Sequence, residues 1–302
     1  MVSGLSGSLQ QYLGGLDGIQ SKLNTIEAQI SSGYRVNQAS DDPAAVPGIL
    51  NTTSQIAAQT QTQANLNQTK LELDTGDGAL QSAVKLVEQA ISLGSQGAST
   101  LSSNQATLVQ QVQDIQQQLV GLANTQVNGR YIFSGDLDQQ PLYSYDSSTG
   151  VTQLATATST RAVTDGQGDT LWVAKTAQDI FDPRASGGSA ASGNVFAAVQ
   201  SLLTAMQNQD TSAAATSVDS LKQADDYLNQ QLGLYGIGEN RVASALTAST
   251  GAQTSLTQQL SDLRDTDMAG AAVELNQVSI EQQAAMSAGA KISQLSLFSY
   301  LG

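Results

Sequence analysis

Eight apolar residues at the start of the chain, Leu5, Leu9, Tyr12, Leu16, Ile19, Leu23, Ile26 and Ile30, follow one another at spacings of 4, 3, 4, 3, 4, 3 and 4. That is the two-per-heptad seam of a coiled coil, and it permits little besides a long helix lying against another helix. The same stretch contains Gly14, Gly15 and Gly18, each costing about 1 kcal/mol relative to Ala inside a helix. A narrow seam with roughly 3 kcal/mol of glycine cost makes a poor isolated helix. It requires a partner.

The other end of the chain offers one. Helical texture runs from about Tyr235 to the end, and Met268, Ala271, Leu275, Val278, Ala285, Ile292 and Leu295 hold one face, with Gln282 and Gly289 as weak points. The face is shallow and alanine-rich, which suits close helix–helix approach. The first and last helices are therefore expected side by side, each of about 40 residues and roughly 60 Å. Burying a Leu or Ile of such a seam is worth about 1.5–3 kcal/mol per side chain, but only when a second surface covers it. The termini are expected to order on assembly with other copies, the two seams packing on each other only there, and to be largely disordered beforehand.

Between these ends the punctuation is legible. Gly33 reads as a left-handed cap closing the first helix. Ser40-Asp41-Asp42-Pro43 opens the next, which runs from about Ala44 to Leu93 with Asp74-Thr75-Gly76-Asp77-Gly78 as its main interruption. A third helix is expected from Asn104 to Gln126. After the turn dipeptide Asn128-Gly129 come short β-prone pieces at Tyr131–Phe133, Leu142–Tyr145, Val151–Leu154, Arg161–Thr164 and Leu171–Val173. Gly187-Gly188-Ser189 reads as the return linker to helices at Val195–Met206 and Ser212–Leu232. The fold class is mainly α with a small β-rich insertion: a long antiparallel helical bundle with paired N- and C-terminal coiled-coil helices. Residues 1–42 and 262–302 form the terminal pair, 43–135 and 193–261 the bundle, and 136–192 the insertion.

Composition narrows the chemistry. With neither Cys nor His, thiolate nucleophiles, zinc–sulfur sites, imidazole relays and Ser-His-Asp triads are excluded. Twenty-six acidic against 12 basic side chains give a net charge of −14, which opposes nucleic acid or anionic lipid as a main partner. Val84–Leu93 is too short to cross a bilayer. The first basic residue is Lys22, so no cleaved secretory signal is expected.

Each remaining cluster has a structural explanation. Ser40-Asp41-Asp42-Pro43 is a helix cap before it is a cation site. Asp74–Gly78 resembles a calcium-loop fragment but lacks the third ligand and the closing Glu. Asp262, Asp265 and Asp267 suggest paired carboxylates for glycoside cleavage, yet Asp265 or Asp267 is well placed to cap the following helix. Gly236-Ile237-Gly238 is half a dinucleotide fingerprint and follows a helix. Tyr131, Phe133, Tyr143, Tyr145 and Trp172 suit the core of the insertion better than a sugar site. No catalytic, cofactor or metal residue is assigned.

Three segments carry a family resemblance: LNTIEAQISSGYRVNQASDDPAA at Leu23–Ala45, NGRYIFSGD at Asn128–Asp136, and LSDLRDTDMAGAAVEL at Leu260–Leu275 followed by AKISQLSLFSYL at Ala290–Leu301. They resemble the flagellin superfamily, and the second and third resemble its hook–filament junction branch more than filament flagellins. AGAAVEL and Gly302 depart slightly from that pattern. The resemblance implies a structural subunit of the bacterial flagellum, required for motility and exported without a cleaved signal peptide. Its partners would be other copies of itself, the first hook-associated protein, flagellin, and a type III export chaperone on the C-terminal helix. The terminal helices would form the inner core, the bundle the next shell and the insertion the outer surface. The assembly interface is placed at Leu5, Leu9, Tyr12, Leu16, Ile19, Leu23, Ile26, Ile30, Leu275, Val278, Ile292, Leu295, Leu297 and Phe298. A filament flagellin is the nearest alternative. A secreted carbohydrate-binding or carbohydrate-cleaving protein and an extended helical adhesin are the alternatives from other classes.

Overall fold

Helix α1 (Val2–Ser32) stops where the sequence places a glycine. Gly33 has φ +77°, and its N–H donates to the Gln29 carbonyl at 2.9 Å, a backbone position that side chains rarely tolerate. The computed structural model describes residues 2–99, 104–164, 168 and 170–301. Helix α2 (Val46–Ser99) begins two residues later than expected, because residues 42–45 form a separate turn capped by Asp42.

The expected interruption at Asp74–Gly78 does not occur; α2 passes through it unbroken. Its polar residues bond within the helix, Lys70 Nζ to Asp74 Oδ2 and Gln81 Nε2 to Asp77 Oδ2, both at 2.6 Å. Gly76 is needed for packing rather than for a turn. A Cβ there would lie 2.5 Å from Cε1 of the fully buried Tyr235, so the ring replaces the side chain that glycine lacks.

Helix α3 (Gln105–Ala123) leads into a tight hairpin of β1 (Gln126–Val127) and β2 (Arg130–Tyr131). Asn128 and Gly129 have φ +52° and +77°, the two positive values that a type I′ turn demands. The other strands also pair locally and antiparallel. β3 (Tyr143–Asp146) pairs with β4 (Gly150–Gln153), and β5 (Arg161–Thr164) with β6 (Thr170–Ala174). Among the described residues the strands form three separate two-stranded hairpins. A short helix, α4 (Ala177–Phe181), follows under a capping box between Thr176 and Asp179. It is too brief to show an apolar period in the sequence. Asn194 caps α5 (Val195–Gln207), its side chain accepting from the Ala197 N–H at 2.8 Å.

Helix α6 (Thr211–Arg264) is one helix where two were expected, with no gap at 232–235. Gly238 lies against Trp172, whose ring atoms are 3.3 Å from where a Cβ would stand. The real break follows Arg264, and α7 (Met268–Leu301) starts under Asp267, which accepts from the N–H groups of Ala269 and Gly270 at 3.0 and 3.2 Å.

The chain folds as two units, Met1–Ala58 with Ala252–Gly302, and Gln59–Gly251. The larger unit has one continuous core drawn from helices and hairpins alike. Phe133 meets Phe181 and Tyr235 edge-on at 6.0 and 6.3 Å, and Trp172 meets Tyr235 at 5.3 Å. Phe133 and Tyr143 are buried as the sequence suggests. The insertion nevertheless has no core of its own; its aromatics complete the core of the bundle.

Candidate assembly interface

In the smaller unit α1 and α7 pair within a single chain. Ile26, Ala271 and Val278 are buried between them, with Ile19, Leu23, Ile30 and Leu275 packed around. The face of α7 that meets α1 follows Ala271, Leu275, Val278, Gln282, Ala285 and Gly289, at spacings of 4, 3, 4, 3 and 4. Gln282 and Gly289, weak points in the sequence, are used as contacts. Gln282 Nε2 donates to Gln20 Oε1 at 2.8 Å. The Tyr12 hydroxyl donates to the Ala285 carbonyl at 3.1 Å and occupies the space a side chain at Gly289 would fill. Small residues on α7 thus receive large ones from α1.

The sequence-predicted assembly residues therefore divide. Ile26 and Val278 are covered by the opposite helix of the same chain, while Tyr12, Leu16, Ile19, Leu23, Ile30 and Leu275 are half-buried. The side chains of Leu5, Leu9, Ile292, Leu295, Leu297 and Phe298 lie outside the described residues. Met268, assigned to the paired face by its spacing, is exposed. Periodicity missed a second apolar stripe on α7: Val273 and Ile280 are seven residues apart, 71% and 61% exposed, and point away from α1. Leu13, Leu50 and Met286 add further exposed apolar surface to the same unit.

Two of the signature segments meet at the end of this pair. Arg35 and Val36 donate their N–H groups to the Arg264 carbonyl at 2.7 and 3.3 Å, and Thr266 returns one to Gly33 at 2.9 Å. The Arg264 guanidinium stacks on the Tyr34 ring, 3.9 Å from its centre. Arg35 bonds the Leu263 carbonyl at 2.7 Å and Asp42 Oδ2 at 2.8 Å. Asp42 also accepts from the N–H groups of Ala44 and Ala45, while Asp41 accepts from those of Asn37 and Gln38. The Arg35 hydrogen bond first, and the Ala45 N–H next, hold the Asp42 carboxyl below the usual range. The Gln38 and Asn37 N–H groups do the same for Asp41. Ser40-Asp41-Asp42-Pro43 is accordingly a clasp as well as a cap.

The other signature, NGRYIFSGD, is almost wholly structural. Arg130 pairs with Asp138, its Nε at 2.7 Å from Oδ2. Ile132 and Phe133 are core, Gly135 has φ +55° against the Ser159 carbonyl, and Asp136 accepts from the Thr158 N–H at 2.9 Å. Asp138 also lies 3.5 Å from Arg161, which pairs with the buried Glu72 of α2. Burial opposes the Asp138 charge, but hydrogen bonds from Gln139 and Arg130 outweigh it and hold its carboxyl low.

The acidic clusters are likewise engaged. Asp262 accepts from Gln258 at 2.8 Å, Asp265 pairs with Arg264 at 3.0 Å, and Asp267 caps α7. Among the described residues no three Asp or Glu side chains converge as a metal site, and no helix is long and apolar enough to cross a membrane.

A pair of end helices clasped at one turn, joined to a bundle with hairpins inserted between its helices, defines a flagellin-type axial protein, and the chain belongs to the flagellin superfamily. The bacterial flagellin N-terminal helical region matches residues 8–138 and the C-terminal helical region residues 218–301. Flagellar hook-associated protein 3 of Escherichia coli K12 is 28% identical over 85% of this chain and 86% of its own length. The same protein of Salmonella typhimurium LT2 is 28% identical over 89% and 83%. The fold matches that of a flagellar hook-associated protein from Vibrio parahaemolyticus, with TM-score 0.65 and 20% identity over 74% of this chain and all of that one. It also matches FlgL of Bacillus cereus, with TM-score 0.58 and 20% identity over 70% and 99%.

Proposed function

We propose that this chain is a structural subunit of the junction between flagellar hook and filament and assembles through its terminal unit. The observation that carries this reading is the doubly apolar α7. One face is covered by α1, and the other presents Val273 and Ile280 to solvent. A second copy would cover that stripe, as the heptad seam alone does not. Likeness to hook-associated protein 3 along most of the chain supports the junction over other positions in the flagellum.

The finer expectations follow from the same reading. The subunit is exported to the outside of the cell without a cleaved signal and is held by a chaperone at its C-terminal helix. It contacts the first hook-associated protein, flagellin and its own copies, and acts without catalysis. The terminal unit supplies the assembly core. Only three described side chains are fully buried in its seam, which supports termini that order when neighbours cover them.

Deleting the gene in a flagellated cell tests this directly. Hooks should persist while filaments fail to attach, and loss of hooks would overturn the assignment. The filament-flagellin reading, which shares the terminal helices, predicts long homopolymers growing from seeds; a junction subunit stops.

A further inference from the structure

Strands β3 and β4, helices α3 and α5 and the segment 182–194 line an open cavity of about 300 Å³ in the larger unit, which the assembly reading does not use. Its lining is unusual for a chain whose core is aliphatic and aromatic. Asp182, 7% exposed, accepts from the Tyr143 hydroxyl at 3.1 Å, from Asn194 Nδ2 at 2.5 Å and from Arg184 Nη2 at 2.7 Å. Arg184 also reaches Gln153 Oε1 at 3.1 Å. Gln116 is fully buried; its Nε2 donates to Gln200 Oε1 at 2.9 Å, and its own Oε1 accepts no hydrogen bond. Gly150, at φ +75°, makes room for this amide pair, because a Cβ there would stand 2.7 Å from Gln200 Oε1.

These groups select a ligand by charge and by hydrogen-bonding type. Asp182 and Arg184 neutralise each other, and among the described residues no other carboxylate or amine lines the cavity. A charged ligand therefore gains no counter-ion and loses its hydration. The rest of the polar lining is amide and hydroxyl, groups that both donate and accept. Gln116 lacks a donor, and a buried acceptor without one is costly. The volume lies at the small end of the range for ligand pockets, which suits one ring rather than a nucleotide.

We propose that this cavity binds a neutral polyhydroxylated molecule, a saccharide ring of hexose size, with one hydroxyl donating to Gln116 Oε1 and others bridging Gln153 and the Asp182–Arg184 pair. Assembly does not depend on it, so the two readings stand or fall separately. The test is ligand-observed NMR and calorimetry on the full chain with glucose, galactose, mannose and N-acetylglucosamine, alongside glucuronate and glucosamine as charged counterparts. At least one neutral sugar should saturate with a Kd on the order of 1–10 mM and bind about tenfold more weakly to Gln116→Leu and to Gln153→Ala. Gln153 is half-buried on β4, so its truncation spares the core and keeps the test valid should Gln116→Leu fail to fold. No saturation by any neutral sugar up to about 100 mM, tighter binding of a charged counterpart, or unchanged binding by Gln153→Ala would overturn the proposal.

Discussion

Gly76 and Gly78 are two residues apart on α2, on nearly opposite faces of the helix, and their surroundings differ accordingly. A Cβ at Gly76 collides with the Tyr235 ring, whereas one at Gly78 meets nothing within 4 Å. Gly78→Ala should therefore stabilise the protein by about 0.5–1 kcal/mol through helix propensity alone. Gly76→Ala should destabilise it by about 1–3 kcal/mol through overpacking. Urea unfolding of both variants checks the pair, and a gain from both would remove the packing argument. At the clasp, the depressed Asp42 carboxyl contributes stability that is present above its unperturbed value of 3.8 and lost as pH falls through the lower folded value. Carboxyl NMR should place the Asp42 midpoint below 3.8, and Arg35→Gln should move it upward.

Pairs of elements are held by contacts of very unequal weight. Glu72 on α2 and Arg161 on β5 have side chains only 4% and 19% exposed. Glu72→Ala leaves a largely buried guanidinium short of its partner and should cost about 3 kcal/mol. Lys70 and Asp74 are 46% and 45% exposed, so Lys70→Ala should change stability by less than about 1 kcal/mol. Thermal denaturation distinguishes the two, and equal effects would mean that the ion network does not fasten the insertion to α2. Along the terminal pair, Gly289→Leu should push the Tyr12 ring off α7 and weaken protease protection of both helices in the assembled protein. Adding Tyr12→Ala should restore part of it. A single variant as resistant as the parent chain would show that this contact does not hold the helices together.

For the whole molecule, the decisive question is which surface is left for other copies. Among the described residues, seven large exposed hydrophobics, Val273 and Ile280 included, belong to the terminal unit, against Leu71, Leu154 and Ile237 in the larger one. Val273→Asp combined with Ile280→Asp should abolish incorporation into the flagellum while leaving the circular dichroism of the monomer unchanged. Filaments that still attach would move the interface elsewhere. The same substitution at Ile237 should be silent.

The spacing of apolar residues and the chemistry of turns are local properties, and both were readable from the chain alone. They pointed to helices at both ends of the chain, to Gly33 and Asn128-Gly129, to a cap at Asp265 or Asp267, and to the strands Tyr143–Asp146 and Arg161–Thr164 within a residue. The break between Arg264 and Met268 did not show in them as the start of the last helix. Whether a glycine-rich stretch breaks a helix is not local. At Gly76 and Gly238 the answer depended on Tyr235 and Trp172 arriving from distant parts of the chain to fill the space. The meeting of the SSGYRV and LRDTD segments, the fusion of the insertion with the bundle core, and the outward stripe of Val273 and Ile280 also appear only in three dimensions. A one-dimensional pattern records which residues avoid water, whereas the choice of what covers each of them is made by packing.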